Sequence, residues 1–561
     1  MPGLRYLSPV FYACLMEYTR AGKPAEKRDL ADPDLLVSKY YDSIPDPASV
    51  AQRVSFGTSG HRGTSLSSSF NEAHIVAISK AIAEVRKEEG VSGPLFIGKD
   101  THVLSECAWR SAIEVLSAAG VQVITDSRPF TPTPVISRAI INYNSGRERM
   151  ADGIVVTPSH NPPDFGGFKY DSTSGGPAPE GMTSRIAERA NELLGQWRKI
   201  ERIPFEKAAS SIWVKKFDYR QMYVNDLAKV IDFDAIRKGS ARIGVHPLSG
   251  ASMDYWSAIC EKYGVSFTLL SSVLDPTWSF MTLDHDEKVR IDPSSKNAMA
   301  GVVKKLEEDG AWESLDLVLA TDPDADRFGL ITQNDGVVDP NRFLAESALY
   351  LSRSRQWGRE KKVGKTVVSS DRISKAAERY CSGAWEVPTG FKWFVDPLKE
   401  GRVGLAGEES AGLTLLCRDG SIWTTDKDGI VADLLASEMA SSASGLRGLE
   451  EEEEKDFGPS WYRRVDVPAS REVREAIKAL RPEEVRCISI GSEPVLNITG
   501  ETREGIKFGG IKVETEKSWF VVRPSGTEAI YKIYAESFSS PEQLQSALDA
   551  AKELVGSLCR A

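Results

Sequence analysis

The chain has 561 residues, which predicts three or four domains at roughly 150 residues per domain. Apolar residues make up 41% of the sequence and charged residues 27%, a balance that excludes a disordered chain, a collagen-like fibre and a membrane bundle. The net charge of −10 argues against general binding to nucleic acids or to anionic membranes.

The seven cysteines are scattered and form no C-x-x-C pair, so neither a disulfide framework nor a zinc knuckle is predicted. We therefore expect a cytoplasmic protein. The apolar stretch at 9–16 is too short to span a bilayer, and no small-residue cleavage site follows it, so a signal peptide is not expected. Residues 1–20 are interpreted as an extension or a mis-called start.

The first half of the chain repeats one pattern, in which an apolar strand is followed by an amphipathic helix and a second strand. The first example has a strand at 94–100, a helix at 105–119 and a strand at 121–124. The same alternation recurs at 242–270 and at 366–387. Such alternation predicts parallel sheets covered by helices.

A polar segment precedes the C-terminal region. Residues 441–445 are mostly serine, and the five consecutive glutamates at 450–454 follow, which predicts a solvated surface linker. An acidic run can also bind a basic partner, and this alternative stays open. The last region is expected to form a separate α+β domain with three strands and a terminal helix, at 510–513, 519–523, 531–535 and 541–558.

A proline-rich loop, Thr157-Pro-Ser-His-Asn-Pro-Pro163, follows the apolar strand at 153–156. Proline neither sits in a central strand nor continues a helix, so the loop is expected to be rigid, at the strand end where open α/β sheets bind ligands. It presents a hydroxyl, an imidazole and an amide together, and Lys169 follows closely enough to project back towards Ser159. A proline-stiffened turn with Asn161 bonded locally is the alternative.

Three carboxylates alternate in the loop Thr321-Asp-Pro-Asp-Ala-Asp-Arg327, which follows the apolar strand at 316–320. In a stiff loop they can converge on one hard cation, whereas without a cation they would repel one another. An EF-hand is excluded because Arg327 stands where that motif requires glycine. A haloacid-dehalogenase-type aspartyl nucleophile is an alternative, although that motif requires threonine or valine where Asp326 stands. A solvated acidic turn is the other.

Two further loops carry polar groups between glycines. Gly407-Glu-Glu-Ser-Ala-Gly412 suits recognition of sugar hydroxyls, with 388–392 upstream and 425–429 downstream; a glycine-rich turn is the alternative. Arg523-Pro-Ser-Gly-Thr527 combines backbone N–H groups, two hydroxyls and a guanidinium, which predicts a phosphate cradle or, alternatively, a hairpin loop with a surface arginine.

Together with Gly57-Thr-Ser-Gly-His-Arg62, these loops resemble, in their order, the α-D-phosphohexomutase family from about residue 22 onwards. The strings at 390–396 and 423–429 are most similar to its bacterial glucose-specific branch. The resemblance implies a heart-shaped, four-domain fold with a central cleft, in which three α/β domains with mixed or parallel sheets precede a C-terminal α+β domain. The predicted domains are 1–203, 204–330, 331–450 and 451–561.

The resemblance also implies roles for individual residues. Ser159 would carry the phosphoryl group, beside Mg²⁺ held by Ser159, Asp322, Asp324 and Asp326. Lys169 and Lys427 are candidate acid–base groups if nearby cations lower their pKa, and His160 would orient the site. The phosphate-stabilising residues would be Arg62 and Arg327. The substrate-binding residues would be Ser59, Arg62, Thr389, Gly390, Lys392, Glu408, Ser410, Arg523, Ser525, Gly526 and Thr527.

The implied activity is interconversion of α-D-glucose 1-phosphate and glucose 6-phosphate through glucose 1,6-bisphosphate. Specificity for mannose or an amino sugar is the alternative, and a catalytically silent phosphosugar-binding homologue is a third possibility. The expected cofactors are Mg²⁺ and glucose 1,6-bisphosphate. The expected partner is a small phosphosugar, with no nucleic acid and no membrane, and the protein is expected to be a monomer or a homodimer.

Overall fold

The first strand–helix units form one sheet in the computed structural model, which describes residues 19–57, 60–526 and 529–558. The strands are β1 (Phe56–Gly57), β2 (Gly60–Thr64), β3 (Leu95–Lys99), β4 (Val123–Asp126), β5 (Asp152–Val156), β6 (Phe165–Asp171) and β7 (Val214–Phe217). Their spatial order is β1-β2-β6-β5-β3-β4-β7, and β3, β4, β5 and β7 run parallel. The helices of this region are α1 (Pro33–Asp42), α2 (Glu72–Glu88), α3 (Val103–Ala118), α4 (Thr133–Asn144), α5 (Glu180–Leu194) and α6 (Phe205–Ala209).

The middle of this sheet is covered on both faces. Every residue of β3 and of β5 is buried, as expected for parallel strands between layers of helices. The predicted strand, helix and strand between 94 and 124 are confirmed as β3, α3 and β4. Since these strands are parallel, their carboxyl ends meet at one edge of the sheet, and the loop that begins at Thr157 leaves β5 there.

Two smaller mixed sheets follow. The second sheet contains β8 (Ile243–His246), β9 (Phe267–Leu269), β10 (Leu317–Thr321), β11 (Phe328–Thr332) and β12 (Gly336–Val337), in the order β12-β11-β10-β8-β9. The third sheet contains β13 (Lys362–Thr366), β14 (Ala384–Val387), β15 (Val403–Gly407) and β16 (Leu413–Leu415), in the order β14-β13-β15-β16. Because β10 is antiparallel to β11, the chain reverses direction at the aspartate loop between them.

The helices of this middle part pack against and between the two sheets. They are α7 (Tyr219–Asp226), α8 (Phe233–Lys238), α9 (Met253–Tyr263), α10 (Ala300–Glu308), α11 (Pro340–Ser354), α12 (Asp371–Tyr380), α13 (Val395–Lys399), α14 (Gly429–Ala440) and α15 (Gly445–Phe457).

The C-terminal region forms an antiparallel sheet with helices, as predicted for an α+β domain. Its strands are β17 (Trp461–Pro468), β18 (Ser489–Ile490), β19 (Glu493–Pro494), β20 (Asn497–Glu501), β21 (Lys507–Glu514), β22 (Ser518–Pro524) and β23 (Ile530–Ser537). The main sheet has the order β17-β23-β22-β21-β20, while β18 and β19 form a separate pair. The helices are α16 (Arg471–Ala479) and α17 (Pro541–Leu558).

Each sheet has a buried apolar core, and one core runs continuously beneath the second and third sheets. A small apolar cluster that includes Val367, Trp519 and Tyr534 joins the third sheet to the C-terminal sheet. Most helices that pack on these cores are amphipathic, whereas α14 is buried along almost its whole length. Among the described residues, no helix has both the length and the apolar character needed to cross a membrane.

The predicted domain bounds stay a prediction, but some strands lie across them. β7, at 214–217, extends the first sheet beyond residue 203. β11 and β12 extend the second sheet from 328 to 337, on both sides of residue 330.

The prediction of a linker is wrong for the glutamates at 450–454, which lie in helix α15, although Glu451 and Glu454 are exposed to solvent as predicted. Glu453 is fully buried, and its Oε2 lies 2.7 Å from Arg372 Nη1. Glu450 pairs with Arg342 in the same way. Neighbouring elements therefore supply arginines that pair with carboxylates of this helix.

Candidate active site

The serine loop starts where β5 ends, because Pro158 cannot continue a central strand. Ser159 is 2% exposed and has a φ of +58°, a left-handed conformation that a non-glycine residue adopts where its surroundings hold it. Its N–H donates to Thr157 Oγ1 at 2.8 Å. The prediction of a loop at the carboxyl end of a strand is confirmed.

The aspartate loop turns tightly between β10 and β11. Ala325 has a φ of +54°, and its N–H donates to the carbonyl of Asp322 at 2.9 Å. Asp322, Asp324 and Asp326 are at most 1% exposed, and one carboxylate oxygen of each lies within 4.8 Å of the others. The predicted convergence of the three carboxylates is therefore confirmed.

The serine loop and the aspartate loop meet across the junction of the first and second sheets. Ser159 Oγ donates to Asp322 Oδ2 at 2.7 Å and lies 3.5 Å from Asp326 Oδ1. Thr133, at the start of α4, fixes the middle aspartate, since its backbone N–H donates to the Asp324 carbonyl at 2.8 Å. The contacts place a serine hydroxyl against a cluster of carboxylates.

These oxygen atoms suit a hard divalent cation. Asp324 Oδ1 is buried and has no hydrogen-bond partner among the described residues, although a buried carboxylate oxygen is costly to leave unpaired. Carboxylate and phosphate oxygens are the ligands that Mg²⁺ prefers. The three aspartates therefore fit the predicted Mg²⁺ site, and the unpartnered oxygen of Asp324 is the observation that supports the fit.

Two predicted lysines lie against the same carboxylates. Lys169 Nζ donates to Asp324 Oδ2 and Asp326 Oδ2, both at 2.7 Å, and Lys427 Nζ lies 3.2 Å from Asp326 Oδ2. Burial alone would lower the pKa of Lys169, but the two aspartates raise it above its usual value. Asp326 and Asp426 likewise outweigh burial and raise the pKa of Lys427. The lowering of these pKa values by a bound Mg²⁺, and the acid–base role of the two lysines, stay predictions.

The outer aspartates of the loop differ in how readily they ionise. Burial, together with the charges of Asp324 and Asp326, raises the pKa of Asp322 well above its usual value. Burial acts in the same direction on Asp326, but Lys169 and Lys427 reverse it and lower the pKa of Asp326. The loop thus concentrates negative charge, and Lys169 and Lys427 neutralise part of it at Asp326.

His160 lies beside the serine. Its Nδ1 is 3.3 Å from Ser159 Oγ, and its carbonyl accepts the N–H of Ile291 at 3.1 Å. Burial, followed by the charges of Arg327 and Arg62, lowers the pKa of His160 well below its usual value. The ring is therefore neutral near pH 7, which suits a residue that orients the loop rather than one that carries charge.

The two arginines that were predicted to stabilise a phosphate, Arg62 and Arg327, interact electrostatically with the three aspartates. The Nε of Arg62, on β2, is buried without a hydrogen-bond partner in the described part of the chain, so its guanidinium retains a donor for an anion. Burial lowers the pKa of Arg62, and the charges of Asp326 and Asp324 oppose that effect. Arg327 Nη1 lies 2.7 Å from Asp292 Oδ2, which holds it at the edge of the site.

The loop between β15 and β16 brings the predicted sugar-binding residues together. Glu408 Oε1 accepts the N–H of Gly390 at 3.1 Å, and burial raises the pKa of Glu408 to about 7. The neighbouring Thr389 Oγ1 is buried with no partner among the described residues. Ser410, two residues after Glu408 in the same loop, is half-buried. Polar groups suited to hydroxyl recognition therefore form one cluster.

Lys427 connects this cluster to the serine and the aspartates. A Cβ on Gly412 would lie 2.2 Å from Lys427 Cδ, so a larger residue there would have to displace the lysine side chain. Lys169, Lys392 and Lys427 line one small cavity. Lys392 also donates to Glu180 Oε2 at 2.9 Å. Three predicted cationic residues thus converge on one place.

The predicted phosphate loop lies at the end of β22, on the C-terminal sheet. Arg523, on β22, lies opposite Lys532 in the antiparallel register with β23. The N–H of Ser525 donates to the Ile530 carbonyl at 3.0 Å. Gly526 is exposed. The remaining predicted contacts, Ser59 and Thr527, lie outside the described residues. The phosphate-binding role of this loop stays a prediction.

Sequence reasoning missed several acidic residues that are buried or half-buried around the site. Asp100 accepts a hydrogen bond from Thr157 Oγ1 at 2.6 Å, and Asp292 binds Arg327. Burial and the charge of Asp426 raise the pKa of Asp171 well above its usual value. Asp100 follows β3, at the sheet edge where β5 ends, so the strand-end argument could have found it. Asp292 lies in a loop without a motif.

Models of a known protein family match the chain in four consecutive segments. The phosphoglucomutase/phosphomannomutase alpha/beta/alpha domains I, II and III match residues 53–195, 221–336 and 339–455. The C-terminal domain of the same family matches residues 465–554.

Curated relatives cover most of the chain. A protein named phosphoglucomutase from Komagataeibacter xylinus is 45% identical over 544 residues, which is 96% of this chain and 97% of that protein. A probable phosphoglucosamine mutase from Pyrococcus abyssi is 27% identical and covers 82% of this chain and 90% of its own length.

Solved structures share the fold. A putative phosphomannomutase from Thermus thermophilus has a TM-score of 0.71 at 22% identity, covering 91% of this chain and 100% of that chain. The open form of the phosphoglucomutase parafusin from Paramecium also has a TM-score of 0.71, at 20% identity, covering 92% of this chain and 96% of that chain. At these identities the similarity concerns the fold alone.

Proposed function

The chain belongs to the phosphoglucomutase/phosphomannomutase family, and we propose that it interconverts α-D-glucose 1-phosphate and glucose 6-phosphate. The family and the four-domain α/β architecture predicted from the sequence are confirmed. The relative named phosphoglucomutase, at 45% identity over 96% of this chain, supports glucose as the sugar. The observation that carries the proposal is the buried Ser159 hydroxyl, 2.7 Å from Asp322 Oδ2 within the aspartate cluster.

Asp322, Asp324 and Asp326 would hold Mg²⁺ together with an oxygen of the phosphate on Ser159. When bound there, the ion would neutralise charge on the transferring phosphoryl group. Lys169 supports this arrangement from the other side, because it already bonds one oxygen each of Asp324 and Asp326 and leaves Asp324 Oδ1 unpartnered within the described chain.

The reaction would consist of two phosphoryl transfers through Ser159. In the first, O6 of glucose 1-phosphate attacks the phosphorus of phosphoserine 159, the bond from Oγ to phosphorus breaks, and the O6 proton passes to a base. The product is glucose 1,6-bisphosphate. After this intermediate turns over in the site, Ser159 Oγ attacks the phosphorus on O1 and the bond from O1 to phosphorus breaks. O1 takes up the proton that the base received, and glucose 6-phosphate leaves. The phosphoserine is regenerated, so the cycle consumes nothing.

The placement of polar side chains supports the remaining roles. Arg62 and Arg327 would steady the phosphate on Ser159, and His160 would orient the serine loop. Glu408 and Ser410 would bind the 3- and 4-hydroxyls of the sugar. Lys169 and Lys427 stay the candidate acid–base groups. The other proposed substrate contacts are Ser59, Thr389, Gly390, Lys392, Arg523, Ser525, Gly526 and Thr527.

A coupled assay with glucose 1-phosphate, Mg²⁺ and a trace of glucose 1,6-bisphosphate tests the proposal. Wild-type protein should produce glucose 6-phosphate, and Ser159→Ala should reduce turnover by about 10⁴-fold or more because the nucleophile is lost. Ser172→Ala, a buried serine outside the loop, is the matched control. Near-wild-type turnover in Ser159→Ala would sink the proposal.

The same assay decides the sugar. We expect a higher kcat/KM for glucose 1-phosphate than for mannose 1-phosphate or glucosamine 1-phosphate, and a preference for either of the latter would replace glucose as the substrate. The activator role of glucose 1,6-bisphosphate, the monomeric or homodimeric state, the absence of nucleic-acid partners and the cytoplasmic location stay predictions.

A further inference from the structure

The loop that carries Ser159 is held on both sides by two residues that follow β3. Thr157, two positions before the serine, donates from Oγ1 to Asp100 Oδ2 at 2.6 Å. Asn161, two positions after it, has its carbonyl oxygen 3.2 Å from His102 Nε2. His102 Nδ1 lies 2.7 Å from Asp100 Oδ2, so the two holding residues are themselves joined. We call the pair Asp100 and His102 the bracket.

The bracket sets the direction of the bond that fixes Ser159. The Thr157 hydroxyl has a single proton, and since it donates that proton to Asp100, its lone pairs are left to accept the Ser159 N–H at 2.8 Å. Asp100 is 1% exposed and also accepts from Ser105 Oγ at 2.6 Å. A buried carboxylate with this many donors has a fixed position, and hydrogen bonds to a charged acceptor are short and strong.

The bracket also contacts the part of the chain that supplies the aspartates. The His102 ring lies 4.6 Å from the indole ring of Trp278, measured between centroids. Trp278 is fully buried, and its Nε1 donates to the Leu248 carbonyl at 2.7 Å. Both Trp278 and Leu248 lie between β8 and β10, ahead of the aspartate loop. The serine loop is thus braced against the region that presents Asp322.

We propose that Asp100 and His102 are positioning residues, which hold Ser159 in its left-handed conformation and keep its hydroxyl at the aspartate cluster during phosphoryl transfer. The proposal rests on the proposed function. Neither residue belongs to the set that would touch substrate or metal. Because transfer depends on the alignment of Oγ with phosphorus, loosening this loop should slow the transfer step more than it weakens sugar binding.

Four variants test the bracket through the separation of kcat from KM. Thr157→Val removes both the bond to Asp100 and the acceptor of the Ser159 N–H, and it should lower kcat by about 100-fold with KM close to the wild-type value. Asp100→Asn replaces the charged acceptor of the Thr157 hydroxyl with a neutral amide oxygen, and it should lower kcat in the same way but by less. Thr157→Ser keeps the hydroxyl and should restore most of the rate. Ser105→Ala removes a bond to the other oxygen of Asp100 and should leave kcat close to wild type.

A purely structural role makes the opposite prediction. Asp100→Asn and Thr157→Val would then lower the yield and the melting temperature, but kcat per folded, phosphorylatable molecule would not change, and this result overturns the proposal. A near-wild-type kcat in Thr157→Ser together with a low kcat in Thr157→Val supports the proposal. The comparison of these two variants stays informative if Asp100→Asn does not fold.

Hydrogen exchange at the Ser159 amide provides a measurement that does not depend on activity. The amide should exchange about tenfold faster in Asp100→Asn and Thr157→Val than in wild type or Ser105→Ala, because its acceptor is displaced or removed. If wild-type protein fails to interconvert the sugar phosphates while these exchange differences are seen, the proposed function is lost and the bracket stands. Unchanged exchange in both variants overturns the bracket whatever the activity.

Discussion

Two acidic runs in this chain resemble each other in sequence and differ in the fold. In the loop, Asp322, Asp324 and Asp326 point their oxygens to within 4.8 Å of one another. In helix α15, the glutamates diverge, and Glu450, Glu452 and Glu453 each meet an arginine from another part of the chain, namely Arg342, Arg353 and Arg372. The first arrangement concentrates charge beside a serine, and the second fastens a helix.

The difference arises from backbone geometry. Neighbouring residues of a helix point about 100° apart, so consecutive glutamates reach different surroundings and can each find a separate cation. A tight loop with a left-handed residue at Ala325 turns alternate side chains to one side. The count of carboxylates therefore carries less information than the backbone that presents them.

The largest effect is expected in the loop. Asp324→Asn keeps the side-chain shape but replaces a charged candidate metal ligand with a weaker, neutral one, so kcat should fall about 10³-fold at saturating Mg²⁺. Mg²⁺ should also raise the melting temperature of wild type more than that of the variant, as thermal melts with and without EDTA would show. Full activity in Asp324→Asn would mean that convergence of the carboxylates has no catalytic purpose.

The same acid-to-amide change in the helix should act on stability. Glu453→Gln removes the carboxylate that pairs with the buried Arg372, so the free energy of unfolding should fall by at most about 3 kcal/mol, with kcat per folded molecule unchanged. Burial raises the pKa of Glu453 to about 7, so ionisation of Glu453 lowers the stability of the wild type as pH rises towards 8. The loss, measured by denaturant titration, should therefore be smaller at pH 8 than at pH 6. Glu454→Gln, at an exposed position of the same run, is the control. A catalytic defect in Glu453→Gln would erase the distinction between the two runs.

Glu408 belongs to neither arrangement, since burial raises its pKa to about 7. An ionised carboxylate accepts hydrogen bonds from sugar hydroxyls more strongly than a neutral carboxyl group does. The KM for glucose 1-phosphate should therefore fall as pH rises from 6 to 8. The change should be up to about tenfold, following the ionised fraction. Glu408→Gln removes this component and leaves titration of the substrate phosphate. Identical pH profiles for wild type and variant would exclude Glu408 from binding.

The smallest effect is expected on the more exposed side of helix α15. Glu452 pairs with Arg353, and their side chains are 37% and 46% exposed. Glu452→Gln should therefore change the free energy of unfolding by about 0.5 kcal/mol or less, with activity unchanged. A loss of stability comparable to that of Glu453→Gln would show that the burial of an ion pair in this helix does not determine its contribution to stability.

Motifs whose chemistry depends on residues close in sequence were predictable. The strand-end position of the serine loop and the convergence of the three aspartates follow from apolar strands, prolines and alternate carboxylates. Contacts between distant segments were not predictable. Examples are the contact of Asp292 with Arg327 and the ion pairs between the glutamates of α15 and arginines from other elements. The two carboxylates that raise the pKa of Lys169 were not predictable either, because the sequence does not show that they lie 2.7 Å from its nitrogen.

The central claim is that Ser159 carries the transferred phosphoryl group. Protein labelled with ³²P from glucose 1,6-bisphosphate should hold the label on the peptide that contains Ser159. When it is mixed with glucose 1-phosphate and Mg²⁺ in a rapid-quench experiment, the label should pass to glucose bisphosphate at least as fast as kcat. Label on another residue, or label that stays on the protein while turnover proceeds, would contradict the account.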